Sequence, residues 1–573
     1  MPTLEWIGKS KVINHHQEVP FRVLTRKYSF DEQGQHEADN GSENMIIRGD
    51  NLEALKALLP RYEGRVKCIY IDPPYNTAKS TNKGQQWIYN DNVDHPKIKA
   101  WIGKVVGDED VDFSRHDKWL CMMYPRLKLL HKLLSQDGVI FVSIDDNEYA
   151  NLKSVCDEIF GAHNFVKAFI WYTDGHTDNQ DDITGVHEYI LCYGKSKSTL
   201  FYNNVVDPNT PEDSKILRNF AENSITKNGF KNPPSFITLP AGFPCETESL
   251  SMDASPDVME FIQRTAETGY ITRELTQQFS MKYPARVTPM NVRHYALKKE
   301  CTVFSGWMNA DKLRLFIENG CKPIADGDTL LRFYLSKNGV IYYYRSGRQS
   351  HYIQTVLENM GTTETNKYMI EKMGMKFDYP KPVDLVKYLL SIFVRPGDIV
   401  LDSFAGSGTT AHAVLAGPRA ADTSFILIEM EDYAETTTAE RVKKVISGYS
   451  DVPGTGGNFS FYDLGEPLLI GNCLNKAVDP GKIREYVWFM ETKTPFAPPD
   501  GDNPYYLGRH NDTGYYFCYE PQSVTVLDYA FLATVKEKAS GMVIYADRCS
   551  IGEDKLAQMG ITFKKIPRDI SRL

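Results

Sequence analysis

Cysteine is sparse in this chain and follows no pattern. Ten cysteines are spread through 573 residues. None sits in a CxxC pair or in a tight cluster with histidine, which argues against a disulfide framework and a structural zinc site. Such scattered thiols fit a reducing cytoplasm. Long apolar runs are missing too. The most apolar stretch, LVKYLLSIFV at 385–394, is far shorter than the roughly 18 residues a membrane span needs. The N-terminal MPTLEWIGKSKVINHH has polar and charged residues where a signal peptide needs an apolar core. Positive charge is not in excess: 65 Lys and Arg against 74 Asp and Glu give a formal charge of −9. That argues against indiscriminate coating of nucleic acid but leaves room for local phosphate contacts. His15, His16, His176 and His187 have no ligand spacing, so no metal is expected, and GxxxxGK[ST] is absent.

What is present is an alternation of buried-strand and helix patterns. MIIRGD at 45–50 reads as a strand and turn, NLEALKALLPRY as a helix, and VKCIYID at 66–72 as a strand stopped by Pro73 and Pro74. Residues 118–134 look helical, with Pro125 disturbing the middle, and 138–144 and 186–193 look like strands. From about 200 to 375 polar loops and short aromatic strands dominate. The strand–helix pattern returns with a helix after Pro382, a strand at 398–402, a helix at 410–416 and a strand at 424–429. The fold class expected is α/β: a Rossmann-like sheet in two halves with an α+β insertion between them and a small C-terminal α/β domain. The divisions are 1–44 as an N-terminal extension, 45–200 and 376–450 as the two halves, 201–375 as the insertion and 451–573 as the C-terminal domain.

Two short segments carry chemistry. Asp72-Pro73-Pro74-Tyr75 ends a strand. A carboxylate and a proline carbonyl there can accept the two N–H groups of a planar exocyclic amine, and Pro73 brings no N–H of its own to compete. Tyr75 offers a flat face for a base extruded from its stack. The second segment, Phe404-Ala405-Gly406-Ser407-Gly408-Thr409, follows the strand end Asp402 and opens a helix. Gly406 and Gly408 permit a tight turn and close approach of a cofactor. Glu429 ends the next strand, where an acid can hold ribose hydroxyls, and Asp50 ends an earlier one, where it can meet the adenine end of the same cofactor.

DPPY at 72–75 with FAGSGT at 404–409 resembles the amino-methyltransferases that modify adenine N6 or cytosine N4 in DNA, and the DPPY-first order resembles their beta class. GVIFVSIDDNE at 138–148, HEYILCY at 187–193, FDYPKPVDLVKYLL at 377–390, RGDNLEALKAL at 48–58 and ITFKKIPRDI at 561–570 resemble the modification (Mod) subunit of type III restriction–modification systems. The resemblance implies methyl transfer from S-adenosylmethionine to adenine N6 in double-stranded DNA. It implies a target-amine site at Asp72, Pro73, Pro74 and Tyr75. Cofactor contacts are implied at Asp402, Phe404, Ala405, Gly406, Gly408, Thr409 and Glu429, with Asp50 beside them, and Lys381 and Pro382 belong to the family's cofactor-side segment. It also implies a homodimer and a possible restriction partner with helicase and nuclease activities. Cytosine N4 chemistry, methylation of RNA or of a protein glutamine, and a catalytically silent DNA-recognition subunit are the alternatives.

For reading DNA, the insertion offers Lys282, Arg286, Arg293, Lys298 and Lys299, then Arg345 and Arg348, with Asn291 and Gln349 as base-contact candidates by type. The run Ile341-Tyr342-Tyr343-Tyr344 reads as strand packing rather than base stacking.

Overall fold

Strands buried on both faces of a parallel sheet need continuous apolar runs, and the chain supplies them at 66–71 and 424–429. In the computed structural model, residues 3–76, 113–173, 185–327, 329–347, 352–417, 422–430, 432–499, 503–537 and 539–567 are described, with a short strand pair at 78–79 and 86–87. His176, Arg348 and Gln349 lie outside the described residues. Eleven strands form one sheet: β1 (Arg22–Asp31), β2 (Gly34–His36), β3 (Met45–Arg48), β4 (Val66–Ile71), β5 (Leu134–Ile144), β6 (Phe165–Tyr172), β7 (His187–Gly194), β8 (Val356–Leu357), β9 (Ile399–Asp402), β10 (Ser424–Glu429) and β11 (Asn458–Pro467). Their spatial order is β2-β1-β11-β3-β10-β9-β4-β5-β7-β6-β8. The run from β11 through β5 is parallel, while β7 is antiparallel to both of its neighbours.

β9 is wedged between β10 and β4 although more than three hundred residues of chain separate it from β4. Val400 pairs with Cys68 and Leu427 with Asp402, so Asp72, Asp402 and Glu429 reach the same edge of the sheet. The two sequence segments therefore meet where strand order switches, which is where open α/β sheets bind ligands.

Helices cover the sheet: α1 (Asn51–Tyr62), α2 (Phe113–Leu133), α3 (Tyr149–Cys156), α4 (Thr363–Lys372), α5 (Val383–Phe393), α6 (Thr409–Leu415) and α7 (Glu440–Ser447). The helix expected at 118–134 forms as α2, and Pro125 lies inside it without ending it. Trp119, Leu127, Leu130 and Leu133 on that helix are fully buried, and tertiary packing of this kind outweighs one lost backbone hydrogen bond.

The chain divides into two compact units, 1–203 with 354–573, and 204–353. The expected N-terminal extension at 1–44 differs from what is observed, because β1 and β2 enter the sheet. β11 enters it as well, although the sequence placed 451–573 in a separate domain. Among the described residues of the C-terminal segment, Tyr506–His510, Thr513–Phe517, Gly541–Ala546 and Ile561–Lys565 form a separate four-stranded sheet. The unit at 204–353 has its own core, with Leu239, Phe243, Cys301, Leu313, Phe333 and Ile341 buried. Tyr342, Tyr343 and Tyr344 lie on the strand Ile341–Ser346, which pairs antiparallel with Thr329–Leu335.

Candidate active site

Asp72 lies just past β4, followed by two prolines that end the ladder. Its Oδ2 sits 2.9 Å from the Lys381 ammonium, and its Oδ1 accepts the Tyr75 hydroxyl at 2.9 Å. The same hydroxyl lies 2.8 Å from Glu188 Oε2, which is also 3.2 Å from Lys381 Nζ. Trp119 Nε1 donates to the Pro74 carbonyl at 2.6 Å, fixing the turn from below. Asn76 continues it with φ 58° and donates to the buried Glu148. Tyr75 is 5% exposed, and the Lys381 ammonium lies 4.8 Å over its ring.

Burial disfavours the charge on Lys381, but Asp72 and Glu188 more than offset this and hold its pKa well above the ordinary lysine value. Burial, then the two carboxylates, push the Tyr75 phenol well up, so it stays a donor.

The glycine turn approaches from β9. Asp402 Oδ1 accepts the Phe404 N–H at 3.0 Å and Oδ2 accepts the Thr410 hydroxyl at 2.5 Å. Burial raises the Asp402 carboxyl to about 7; the hydrogen bonds from Thr410 and Phe404 pull it down, while Asp72 and Glu429 add to the rise. Gly406 has φ 51° and Gly408 φ 83°, conformations that an L side chain rarely adopts. A Cβ on Gly406 would reach Phe377 at 3.4 Å, and one on Gly408 the Thr438 carbonyl at 3.2 Å. Arg441 of α7, fully buried, donates to Ser407 Oγ at 2.6 Å and Thr409 Oγ1 at 2.9 Å and so braces the turn.

These parts enclose a cavity of about 530 Å³. Of the residues expected from sequence, Asp72, Pro73, Tyr75, Lys381, Asp402, Phe404, Ala405, Gly406 and Thr409 line it. Pro74, Gly408, Glu429 and Asp50 are not among the lining residues. Glu429 instead accepts the Gly406 N–H at 2.8 Å and the Met430 N–H at 2.8 Å, which supports the turn from behind. Asp50 caps α1, accepting the Leu52 N–H at 2.8 Å, and lies 3.7 Å from the buried Arg126. Lys381, expected on the cofactor side, reaches across to Asp72.

Sequence reading missed Glu188 as a site residue, along with Phe377 and Tyr433, whose rings meet edge-on at 5.8 Å in the cavity wall. The signal for Glu188 was an acid at the start of an otherwise apolar strand. Asp402 and the Phe377–Tyr433 pair both line the cavity, an acid and aromatic rings that suit a positively charged, partly aromatic ligand.

In the second unit, Arg286 is buried and donates to the Asp253 carbonyl at 2.8 Å, and Arg345 is held by Asp326. The burial of Arg286 takes it away from the DNA-reading role its sequence position suggested, while Arg345 stays one-third exposed beside Asp326. Lys282, Arg293, Lys298 and Lys299 are exposed, as is Asn291, whose Oδ1 accepts the Ser251 hydroxyl at 2.9 Å.

Residues 66–440 match the family model described as DNA methylase. The chain is similar to the Mod subunit of the type III restriction-modification enzyme EcoP15I from Escherichia coli, with 28% identity over 490 residues, 78% of this chain and 67% of that protein. It is similar to the StyLTI Mod subunit of Salmonella typhimurium, with 31% identity over 392 residues, 66% of this chain and 50% of that protein. To the EcoPI Mod subunit of Escherichia phage P1 it is 30% identical over 433 residues, 72% of this chain and 60% of that protein. The matches thus span between 50% and 67% of these relatives' lengths. Among solved structures, the PvuII cytosine-N4-specific DNA methyltransferase gives a TM-score of 0.31 at 11% identity, covering 70% of this chain and 86% of that one. The M1.HpyAVI–SAM complex gives 0.28 at 14%, covering 69% and 99%. With the family model covering well over half of its length and taking in both the Asp72 turn and the Gly406–Gly408 turn, the chain belongs to the DNA methylase family.

Proposed function

We propose that this protein is a site-specific DNA methyltransferase that uses S-adenosylmethionine to methylate adenine N6 in a base turned out of the duplex, as the modification subunit of a type III restriction–modification system. The observation that carries the reading is one cavity lined at once by Asp72 and by the Phe404–Gly406 turn. Similarity to several type III Mod subunits supports the biological setting.

Phe404, Ala405, Gly406, Asp402 and Thr409 are the residues placed to hold the cofactor, between the Phe377–Tyr433 pair and the helix start at Thr409. S-adenosylmethionine supplies a methyl group carried on positively charged sulfur. The chain's own task is to orient a poor nucleophile, because the amine lone pair is delocalised into the base. Asp72 accepts one N–H and the Pro73 carbonyl the other, which turns the lone pair toward the donor side of the cavity. Asp72 takes up the proton late, once the nitrogen has become acidic, so it has no need to be a strong base. Alignment and fixed local charge supply most of the rate enhancement. Lys282, Arg293, Lys298 and Lys299 of the second unit are its candidate phosphate contacts. A homodimer and a separate restriction subunit complete the proposal.

The test is transfer of labelled methyl from S-adenosylmethionine to unmethylated DNA by the purified protein, followed by digestion to nucleosides. N6-methyladenine from the wild type, and at least a hundredfold less from Asp72→Ala with cofactor binding retained, is the expected result. N4-methylcytosine alone would replace adenine by cytosine as the target. No labelled base would reject the reading.

A further inference from the structure

We propose that Lys381 is a displaceable plug on the target-amine site, and that Glu188 is the second seat that keeps its charge paired when the amine takes Asp72. The proposal rests on the methyl-transfer reading and adds two positioning residues to it. Lys381 Nζ occupies Asp72 Oδ2 at 2.9 Å while the Tyr75 hydroxyl occupies Oδ1 at 2.9 Å. Both carboxylate oxygens of Asp72, one of which has to accept an amine N–H, are therefore engaged. The same ammonium lies 4.8 Å over the Tyr75 ring and so covers a face on which a base would stack. A base entering the site has to move Lys381.

Moving a buried ammonium away from its carboxylate is costly unless another anion receives it. The Lys381 side chain is 11% exposed, and Glu188 Oε2 already stands 3.2 Å from it. A short swing of the lysine toward Glu188 opens Asp72 and the tyrosine face without leaving a buried charge unpaired. Tyr75 is built into the exchange. A phenol has one O–H hydrogen, which its contacts with Asp72 and Glu188 must share. As the ammonium settles on Glu188, that hydrogen is released to Asp72. The empty enzyme thus holds its base site closed by one ion pair, and binding of the amine exchanges one acceptor for another.

The groups facing Asp72 are Tyr70 and Tyr75 from its own strand and turn, Glu188 from β7, Lys381 from the segment before α5 and Asp402 from β9, while Asp145 faces Glu188. Removing one charge of the pair shifts the balance in opposite directions. Glu188→Gln leaves the ammonium to Asp72 alone. Lys381→Met leaves two carboxylates facing each other.

The experiment measures labelled methyl transfer to unmethylated DNA as a function of pH for wild type, Glu188→Gln, Lys381→Met, Lys381→Arg and the Glu188→Gln/Lys381→Met double variant. Calorimetric S-adenosylmethionine affinity and thermal denaturation are measured on each. Glu188→Gln lowers kcat about tenfold, with cofactor affinity held within about twofold. Its acid limb moves down, whereas that of Lys381→Met moves up by about one pH unit. Lys381→Arg, which keeps the charge, leaves the limb in place, and the double variant returns toward wild type. A merely structural role would lower kcat without opposite movements of the limb. Limbs that stay put or move together, or a Glu188→Gln loss that lies wholly in cofactor binding, would overturn the proposal while leaving methyl transfer intact. A wild type that methylates no DNA would overturn both.

Discussion

At the scale of single residues, Asp402 and Gly406 show how the cofactor turn is made. Asp402 is 3% exposed, and its carboxyl is raised from 3.8 to about 7, first by burial and then by the nearby Asp72 and Glu429. A carboxyl raised in the folded state contributes stability that is complete below its unfolded pKa and is lost as pH climbs through the folded one. Wild type should therefore lose stability relative to Asp402→Asn as pH rises from about 4 to 7, by at most about 1.4 kcal/mol per pH unit. Denaturant midpoints for the two proteins across that window check this, and parallel curves would refute it. A cationic cofactor beside this carboxylate favours its ionised form. Cofactor binding near pH 7 should then release protons, seen by calorimetry in buffers of different ionisation enthalpy, and Asp402→Asn should abolish the effect. Gly406→Ala places a Cβ at φ 51° against Phe377. It is expected to cost about 1 kcal/mol in stability and to weaken cofactor binding about fivefold, read by denaturation and calorimetry. The sequence made Asp72, Tyr75 and the two glycines legible because their meaning is local: proline stops a strand and glycine permits a turn. Glu188 and Lys381 were harder, because their role depends on where distant strands place them.

At the scale of elements, helix ends and braces matter more than the motifs suggested. Asp50 invited a cofactor role, since an acid after a strand serves that purpose equally well. The structure uses it as the cap of α1. Asp50→Ala is expected to cost about 1 kcal/mol of stability. It should leave cofactor affinity nearly unchanged, and a loss confined to cofactor binding would restore the sequence reading. Arg441 left no sequence signal, being one more basic residue on an amphipathic helix, yet it ties α7 to Ser407 and Thr409. Arg441→Met leaves those hydroxyls without their buried donor, with an expected loss of about 1–3 kcal/mol. Cofactor binding should weaken with it, which titration at fixed temperature would reveal. Pro125 is a local disturbance, expected in the middle of a helix, that the well-packed α2 absorbs. Arg286 reads as a DNA contact because sequence does not show that it is buried on the Asp253 carbonyl.

At the scale of the whole molecule, the alternation of patterns put an insertion at 201–375, whereas the separate compact unit is 204–353 and residues 354–375, with α4, belong to the larger unit. The alternation did not reveal that β1, β2 and β11 extend the catalytic sheet, because edge and near-edge strands carry weaker apolar runs than central ones. The insertion's buried core argues that residues 204–353 fold alone. Expressed by themselves they should unfold cooperatively in denaturant, as a domain with its own core does. A broad, non-cooperative transition would show that they need the rest of the chain. The central claim is that Asp72 and the glycine turn together methylate a DNA base. It is tested most directly by single-molecule modification sequencing of DNA from cells expressing this protein or its Asp72→Ala variant. The account predicts N6-methyladenine on one strand of a short asymmetric motif with wild type and none with the variant. A soluble, cofactor-binding wild type that leaves no modified motif, or a variant that modifies as well as wild type, would contradict it.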